Sequence, residues 1–377
     1  MNSNNAILCS ASNKKGPTAL IMAGGTGGHI FPGLAVAEEL LAKGWTVNWL
    51  GSIGGMEQTL VENYPINMDL ISIAGLRGNG IIGWIKAPFT LLSAIRQANH
   101  ILKKQNPNVV LGFGGFASGP GGFAAFMRNK VLFIHEQNAV AGMTNRILSL
   151  LSKRVFLAFP NAISHGKKVE TIGNPIRSNI KNINKKAIEE DGRVINLLII
   201  GGSRGAQVFN QKLPSILSSL VKQEFICIRH QCGKENINET TNIYAAESLE
   251  SDKNIVVTEF IDDMREAYQW ADLIICRSGA LTVSEIAAVG IAAVFIPYPF
   301  AVDDHQTRNA EWLVDNNAAI IVPQSEIETA TTKQKILSLV QNPIEINTLA
   351  RNAKKIAYLD ASQKIVEACN QAIKDVA

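Results

Sequence analysis

The feature that most constrains the fold is one layout written twice. An apolar run, Thr18 to Met22, leads into Ala23-Gly24-Gly25-Thr26-Gly27-Gly28-His29-Ile30-Phe31-Pro32-Gly33 and then into the helical pattern Leu34 to Leu41. Far downstream, Val194 to Ile200 leads into Gly201-Gly202-Ser203-Arg204-Gly205-Ala206 and a helical pattern from Gln207. Strand, glycine loop and helix in that order predict the first unit of a parallel α/β sheet. The recurrence therefore predicts two Rossmann-like domains facing each other across a cleft. The repeat is one of architecture, with little residue identity, and a length of 377 residues suits two domains.

The rest of the chain fits that scheme. Short apolar runs at Thr46–Gly51, Val109–Leu111, Val131–Ile134 and Val155–Ala158 alternate with helical patterns such as Leu91–Lys104, and Phe225–His230, Ile255–Val257, Leu273–Ile275 and Ala292–Ile296 continue the alternation. Turn chemistry at Gly173-Asn174-Pro175-Ile176-Arg177, followed by charged, unpatterned residues 178–193, places the boundary between a domain at 17–175 and one at 176–355. Helical periodicity in 356–377 would let a last helix cross back onto the first domain. Met1 to Gly16 is polar, lacks the apolar core of a signal peptide, and reads as a disordered arm.

Charge separates the two halves. Residues 1–175 carry a net +8 and residues 176–377 a net −4, which on charge alone fits equally an anionic partner for the first half, such as phosphate, nucleic acid or a membrane surface, and an uneven solvated face. No aromatic-rich basic block points to nucleic acid. Five scattered cysteines without CxxC or zinc spacing read as free thiols in a reducing compartment, and Cys227, His230 and Cys232 read as strand residues rather than ligands. Val109 to Met127 is uncharged, but its six glycines and Pro120 describe strand and loops rather than a spanning helix. Ile81, Ile82, Trp84, Ile85 and Phe89, with Arg77 and Lys86 beside them, could instead dip into an anionic bilayer interface or simply begin a buried helix.

Four places carry chemistry. The first glycine loop lets backbone approach a ligand beside a helix N-terminus, and His29, whose unperturbed pKa lies near neutrality, is a candidate for proton transfer there. Gly112-Phe113-Gly114-Gly115-Phe116-Ala117 reads as a second ligand-facing loop, since no acidic ribose partner follows to make it an NAD site. His135-Glu136-Gln137-Asn138 would emerge at the carboxyl end of a strand, where open α/β sheets bind ligands, with Glu136 and Asn138 foremost. In the second half, Ser278 could cap a helix whose free amides meet a diphosphate. Glu285, further along it, could bond a sugar's paired hydroxyls or be a solvated charge. Asp303-Asp304-His305-Gln306-Thr307-Arg308-Asn309 offers groups for sugar recognition.

In order and spacing these motifs, with Gly75-Leu76-Arg77-Gly78, Gly173-Asn174-Pro175 and Arg277-Ser278-Gly279-Ala280, resemble the MurG family of UDP-N-acetylglucosamine-dependent transferases of bacterial peptidoglycan synthesis, over nearly the whole chain. The resemblance implies the two-domain glycosyltransferase B architecture, with acceptor in the N-terminal domain and UDP-GlcNAc mainly in the C-terminal one. It implies inverting transfer of GlcNAc to the muramyl 4-hydroxyl of lipid I, giving lipid II, and so a part in cell-wall biogenesis, cell shape and division. Donor contacts carried over are Thr26, Gly27, Gly28, Asn138, Arg177, Ser203, Ile261, Ala280, Leu281, Thr282, Val283, Ser284, Glu285 and Gln306. Within that set Ile261 backbone would meet uracil, Glu285 the ribose, Ser203 and the Ala280 helix start the diphosphate, and Gln306 the GlcNAc hydroxyls. His29 is the hypothesised base and Glu136 the next candidate. No D-x-D tripeptide is present, so neither metal nor cofactor is expected. The Trp84 cluster would meet the cytoplasmic face of the cell membrane peripherally. The chain departs from the pattern at Asp304-His305 and at Arg204. Alternatives are another UDP-sugar enzyme of this architecture, a lipid glycosyltransferase or a UDP-GlcNAc 2-epimerase, and a non-catalytic UDP-sugar sensor.

Overall fold

A computed structural model describes residues 16–73, 80–164, 166–189, 194–202, 205–249 and 253–375, the side chains of 80–86 excepted. Outside the described residues lie the N-terminal arm, Gly75 to Gly78, Ser203 and Arg204, and the side chains of Ile81, Ile82, Trp84, Ile85 and Lys86.

The first unit runs β1 (Thr18–Ala23), α1 (Gly27–Ala42), β2 (Thr46–Ser52), α2 (Glu57–Val61), β3 (Asn67–Ile71), α3 (Gly80–Gln105), β4 (Val109–Gly114), α4 (Ser118–Met127), β5 (Val131–Glu136), α5 (Met143–Leu151), β6 (Arg154–Leu157) and β7 (Val169–Thr171). The short α6 (Ser178–Lys181) precedes the second unit. That unit runs β8 (Ile195–Ile200), α7 (Gln207–Lys222), β9 (Ile226–Gln231), α8 (Ile237–Ala246), β10 (Ile255–Thr258), α9 (Met264–Trp270), β11 (Leu273–Cys276), α10 (Ala280–Val289), β12 (Ala292–Phe295), α11 (His305–Val314) and β13 (Ile320–Ile321). Three helices close the chain, α12 (Ala330–Val340), α13 (Pro343–Ile356) and α14 (Ala361–Lys374).

Both sheets are parallel throughout. Their orders are β3-β2-β1-β4-β5-β6-β7 and β10-β9-β8-β11-β12-β13. Each sheet reverses its direction of growth between its first and fourth strands, so the loops after β1 and β4, and after β8 and β11, flank the crevice where such sheets hold ligands. All four are loops whose sequences drew attention. Strands buried on both faces explain continuous apolar runs such as Leu197-Leu198-Ile199 in place of alternation.

Packing fixes the first loop. Trp49 in β2 is fully buried and donates its indole N–H to the Ala23 carbonyl at 3.0 Å, anchoring the end of β1. Gly33 lets α1 lie on that ring, since a Cβ there would sit 2.8 Å from Trp49. Burying such a side chain contributes about 3 kcal/mol. At the far end of the chain, Ile365, Val366 and Cys369 of α14 are buried in the cluster formed by α1, β1 and β4.

Several local expectations are corrected. α1 starts at Gly27, not after Gly33, so Gly27, Gly28 and His29 form its first turn. Pro32, in the second turn of α1, lacks the N–H that would bond the Gly28 carbonyl. β4 runs through Gly112 to Gly114, because Ile134 and Met22 fill the space beside Gly112. α3 begins at Gly80 and carries Pro88 inside it, where the sequence suggested Leu91.

Candidate active site

The loops after β1 and β4 touch. Gly115, at φ 86°, lies so close to Gly24 that a Cβ would run into the Gly24 backbone, and Gly114 abuts the His29 ring, with a would-be Cβ 3.0 Å from Nε2. His29 Nδ1 is 3.2 Å from the Gly24 carbonyl and 3.5 Å from the Thr26 hydroxyl. A carbonyl can only accept, so Nδ1 carries the proton and Nε2 keeps its lone pair. Burial, opposed by the Gly24 bond, lowers the pKa of this half-buried ring, and the electrostatic influence of His305 in α11 adds to the effect. The imidazole is therefore neutral near pH 7, as a base must be. The Gly27 and Gly28 amides make no intrahelical bond and face outward from the start of α1.

Glu136 has a different environment. It is 2 % exposed, and its Oε1 accepts from Asn138 N–H at 2.9 Å while its Oε2 accepts from Asn145 Nδ2 at 2.9 Å and Gly142 N–H at 3.2 Å. Desolvation raises its pKa against the pull of those donors. Both oxygens are occupied in holding the 138–142 loop. The expected emergence of His135, Glu136 and Gln137 as polar groups at a strand end is corrected: β5 continues to Glu136, and all three are at most 2 % exposed. His135 Nε2–H donates to the Gly173 carbonyl at 3.0 Å.

The second unit meets this side through Asn309 of α11. Its Oδ1 accepts from Ala139 N–H at 2.8 Å, and its Nδ2 donates to the Ser278 carbonyl at 3.1 Å and to Asn138 Oδ1 at 3.3 Å. Asn174 Nδ2 donates to Ser284 Oγ at 3.0 Å. Three segments singled out in the sequence, around Asn138, Ser278 and Asn309, are thus brought together. Gln306 Oε1 accepts from Tyr298 N–H at 2.9 Å, and Asp303 and Asp304 take left-handed φ of 53° and 50° where the chain turns into α11.

Ser278 does not cap α10. The N-cap is Gly279, and Ser278 Oγ is buried with no hydrogen-bond partner among the described residues. The first α10 turn leaves the Ala280, Leu281 and Thr282 amides without intrahelical acceptors, whereas Val283 N–H bonds the Gly279 carbonyl at 3.0 Å. Such a terminus attracts anions. Glu285 is 4 % exposed, which removes the solvated-charge alternative: its Oε1 pairs with Arg177 Nη2 at 3.3 Å and its Oε2 accepts from Tyr268 OH at 3.0 Å. Burial raises its pKa, and Arg177 and Tyr268 draw it back. Arg177 also lies over the Phe31 ring of α1, 4.6 Å from its centroid, so it couples the two units. Ile261 follows the carboxyl end of β10, partly buried against the core around α10.

Three residues outside the sequence-derived set shape the site. Glu57 is fully buried and accepts from Gly25 N–H at 3.2 Å. Tyr268 seats Glu285. Gln231 clamps Gly202 from both sides, its Oε1 accepting from Gly202 N–H at 3.1 Å and its Nε2 donating to the Gly202 carbonyl at 3.0 Å. Each acts on a residue far away in sequence, so only the glycine and helix-start signals they support were visible. His230, as expected, is a strand residue, bonded to Tyr244 OH at 3.0 Å and Asn210 Oδ1 at 3.1 Å.

Known proteins share this two-domain architecture. Residues 19–157 match the glycosyltransferase family 28 N-terminal domain and residues 196–365 its C-terminal domain. The UDP-N-acetylglucosamine--N-acetylmuramyl-(pentapeptide) pyrophosphoryl-undecaprenol N-acetylglucosamine transferase of Aeromonas hydrophila is 45 % identical over 94 % of this chain and 96 % of its own length. That of Psychromonas ingrahamii is 44 % identical over 96 % and 99 %. The crystal structure of Acinetobacter baumannii MurG superposes with a TM-score of 0.79 at 39 % identity, covering 94 % of this chain and 99 % of that one. A Listeria monocytogenes structure described as a putative UDP-N-acetylglucosamine 2-epimerase, at 13 % identity and TM-score 0.68, shares the fold alone. The chain has the two-domain glycosyltransferase B fold and belongs to the MurG family of UDP-N-acetylglucosamine-dependent glycosyltransferases, within glycosyltransferase family 28.

Proposed function

We propose that this enzyme transfers GlcNAc from UDP-GlcNAc to the muramyl 4-hydroxyl of lipid I, with inversion, to give lipid II and UDP. The observation that carries the mechanism is the His29 geometry, a neutral imidazole tied down at Nδ1 with Nε2 available at the crevice between the two sheets. Nε2 takes the proton of the 4-hydroxyl as its oxygen attacks the GlcNAc anomeric carbon. The carbon–oxygen bond to the diphosphate breaks, and its electron pair leaves with UDP. The amides at the starts of α10 and α1 stabilise the charge that develops on the diphosphate. Glu136, saturated by its loop, positions Asn138 rather than accepting the proton.

Donor recognition is assigned to Thr26, Gly27, Gly28, Asn138, Arg177, Ser203, Ile261, the Ala280–Glu285 helix start and Gln306. In this scheme residues 17–175, with α14 packed on α1, form the acceptor domain and 176–355 the donor domain. The membrane lies against the first domain. On the outer faces of α3, α4 and α5, Phe89, Phe126, Met127, Ile147 and Leu150 are 75, 47, 61, 55 and 77 % exposed, with Arg96 and Arg146 exposed on the same helices. Among the described residues no helix is long and apolar enough to cross a membrane, which fits peripheral binding at the cytoplasmic face.

Incubation with labelled UDP-GlcNAc and a lipid I analogue tests the reading. Disaccharide-lipid and UDP are expected in equimolar amounts. Epimerised donor, or binding without turnover, would replace it with the epimerase or sensor alternative. His29→Ala is expected to lower kcat by about 100-fold or more with little change in donor affinity.

A further inference from the structure

Glu57 stands behind the first glycine loop and touches neither crevice face. It is the first residue of α2 and fully buried, and no cation pairs with it among the described residues. Its Oε1 accepts from the Ser52 N–H and Ser52 hydroxyl, each at 2.7 Å, and its Oε2 from Gly25 N–H at 3.2 Å. Gly25 N–H and the Gly24 carbonyl belong to one peptide group. That carbonyl is the acceptor for His29 Nδ1 at 3.2 Å. A single peptide plane is therefore held between a carboxylate and an imidazole. The surrounding glycines suit that purpose: a Cβ on Gly24 would lie 2.5 Å from Glu57 Oε1, and one on Gly51 2.9 Å from Glu57 Cγ.

We propose that Glu57 is a positioning residue for His29, acting through the Gly24–Gly25 peptide to fix the Nδ1–H tautomer and leave Nε2 as the proton acceptor. The inference rests on His29 serving as the base. Physically, the carboxylate pins the peptide plane and polarises it, so the Gly24 oxygen becomes more negative and a better acceptor from Nδ1–H. As Nε2 gains its proton, positive charge on the ring is met by that oxygen and by the carboxylate beyond it. The arrangement does for this imidazole what a directly bonded carboxylate does in other bases, with a peptide group interposed. The other titratable group facing the ring is His305 of α11, which opposes protonation. A buried carboxylate needed only to tie down α2 would require the Ser52 bonds and not the one to Gly25.

The experiment compares full-length wild-type and Glu57→Gln proteins. Histidine-¹⁵N-labelled protein reports the His29 titration by NMR, and the pH profile of kcat/KM reports the base during turnover. Glu57→Gln is expected to lower the His29 midpoint by about half a unit or more and to move the acid limb of kcat/KM the same way. It should lower kcat about tenfold, with KM for UDP-GlcNAc changed less than about twofold. In the wild type, the Gly25 amide proton should titrate with the His29 midpoint, a measurement that needs no variant. If Glu57→Gln only lowers stability and leaves the His29 midpoint and the acid limb in place, Glu57 is a loop anchor and the proposal is overturned. A Gly25 amide blind to the His29 titration overturns it equally. Retained turnover in His29→Ala would instead remove His29 as base, while the imidazole midpoint would still decide the coupling to Glu57.

Discussion

His135 and His230 show how strongly single residues are set by what surrounds them. Burial lowers their pKa values to about 4 and about 3, so both are neutral in the folded chain. Each is bonded as a neutral ring, His135 to the Gly173 carbonyl and His230 between Tyr244 and Asn210. Because their folded values lie below the unfolded one, their stabilisation is complete above about pH 6.5 and is lost as the pH falls toward the folded values. At pH 5 each is expected to cost about 2 kcal/mol relative to pH 7. Glu136 and Glu285, whose values are raised by burial, work the other way and offset part of that loss as they take up protons. Calorimetry from pH 7 to 5 should show Tm falling while both ring signals stay neutral; a flat Tm, or ring signals that titrate near 6.5, would contradict the buried-neutral assignment. At this scale the sequence made His29 legible, because a histidine within a glycine run has few other readings. Glu57, Tyr268 and Gln231 were not legible, since each is an ordinary residue until folding sets it against a loop or carboxylate distant along the chain.

In the proposed mechanism the chemistry turns on the pair of loops after β1 and β4. Both were recognisable from their glycines, but their contact was not, because it depends on β4 inserting beside β1 in the sheet. Gly115 is where the two backbones meet, at a positive φ that disfavours any side chain. Gly115→Ala should push the Gly24–His29 segment away and lower kcat/KM for the acceptor roughly 10- to 100-fold. UDP-GlcNAc binding, assigned mainly to the α10 side, should be far less affected. Equal loss of donor affinity, measured by calorimetric titration, would mean that the first loop contributes more to donor binding than proposed. The sequence pattern puts the start of α1 after Gly33 because glycine and proline are poor helix formers, whereas the helix begins at Gly27. Packing of Gly33 on Trp49 and of Ile30 and Leu34 into the core outweighs that propensity.

At the scale of the whole molecule, the first domain exposes apolar side chains on α3, α4 and α5 and borders the crevice at the carboxyl ends of its strands. The sequence points to the Trp84 region as the apolar contact; of that cluster only Phe89, which is exposed, lies among the described side chains, and α4 and α5 expose Phe126, Met127, Ile147 and Leu150 as well. The α4 residues belong to a stretch, Val109 to Met127, notable mainly for lacking charge. Phe126→Glu combined with Leu150→Glu should weaken binding to vesicles containing anionic lipid by about tenfold, each substitution removing apolar burial and adding like charge. Turnover of a short-chain soluble acceptor should be retained. Unchanged vesicle binding would remove this face as the membrane contact.

The sequence by itself determined the two parallel α/β sheets, since apolar runs alternating with helical patterns leave few other arrangements, and it marked the glycine loops and helix starts where backbone can meet a ligand. Tertiary structure alone decided that Arg177 links Phe31 to Glu285, that Asn309 joins Asn138 to Ser278, and that the Gly24–Gly25 peptide stands between Glu57 and His29. Local patterns specify periodicity and turn chemistry over a few residues. The pairing of buried polar groups depends on which strands lie side by side, and that is settled only when both sheets and their connections close on each other.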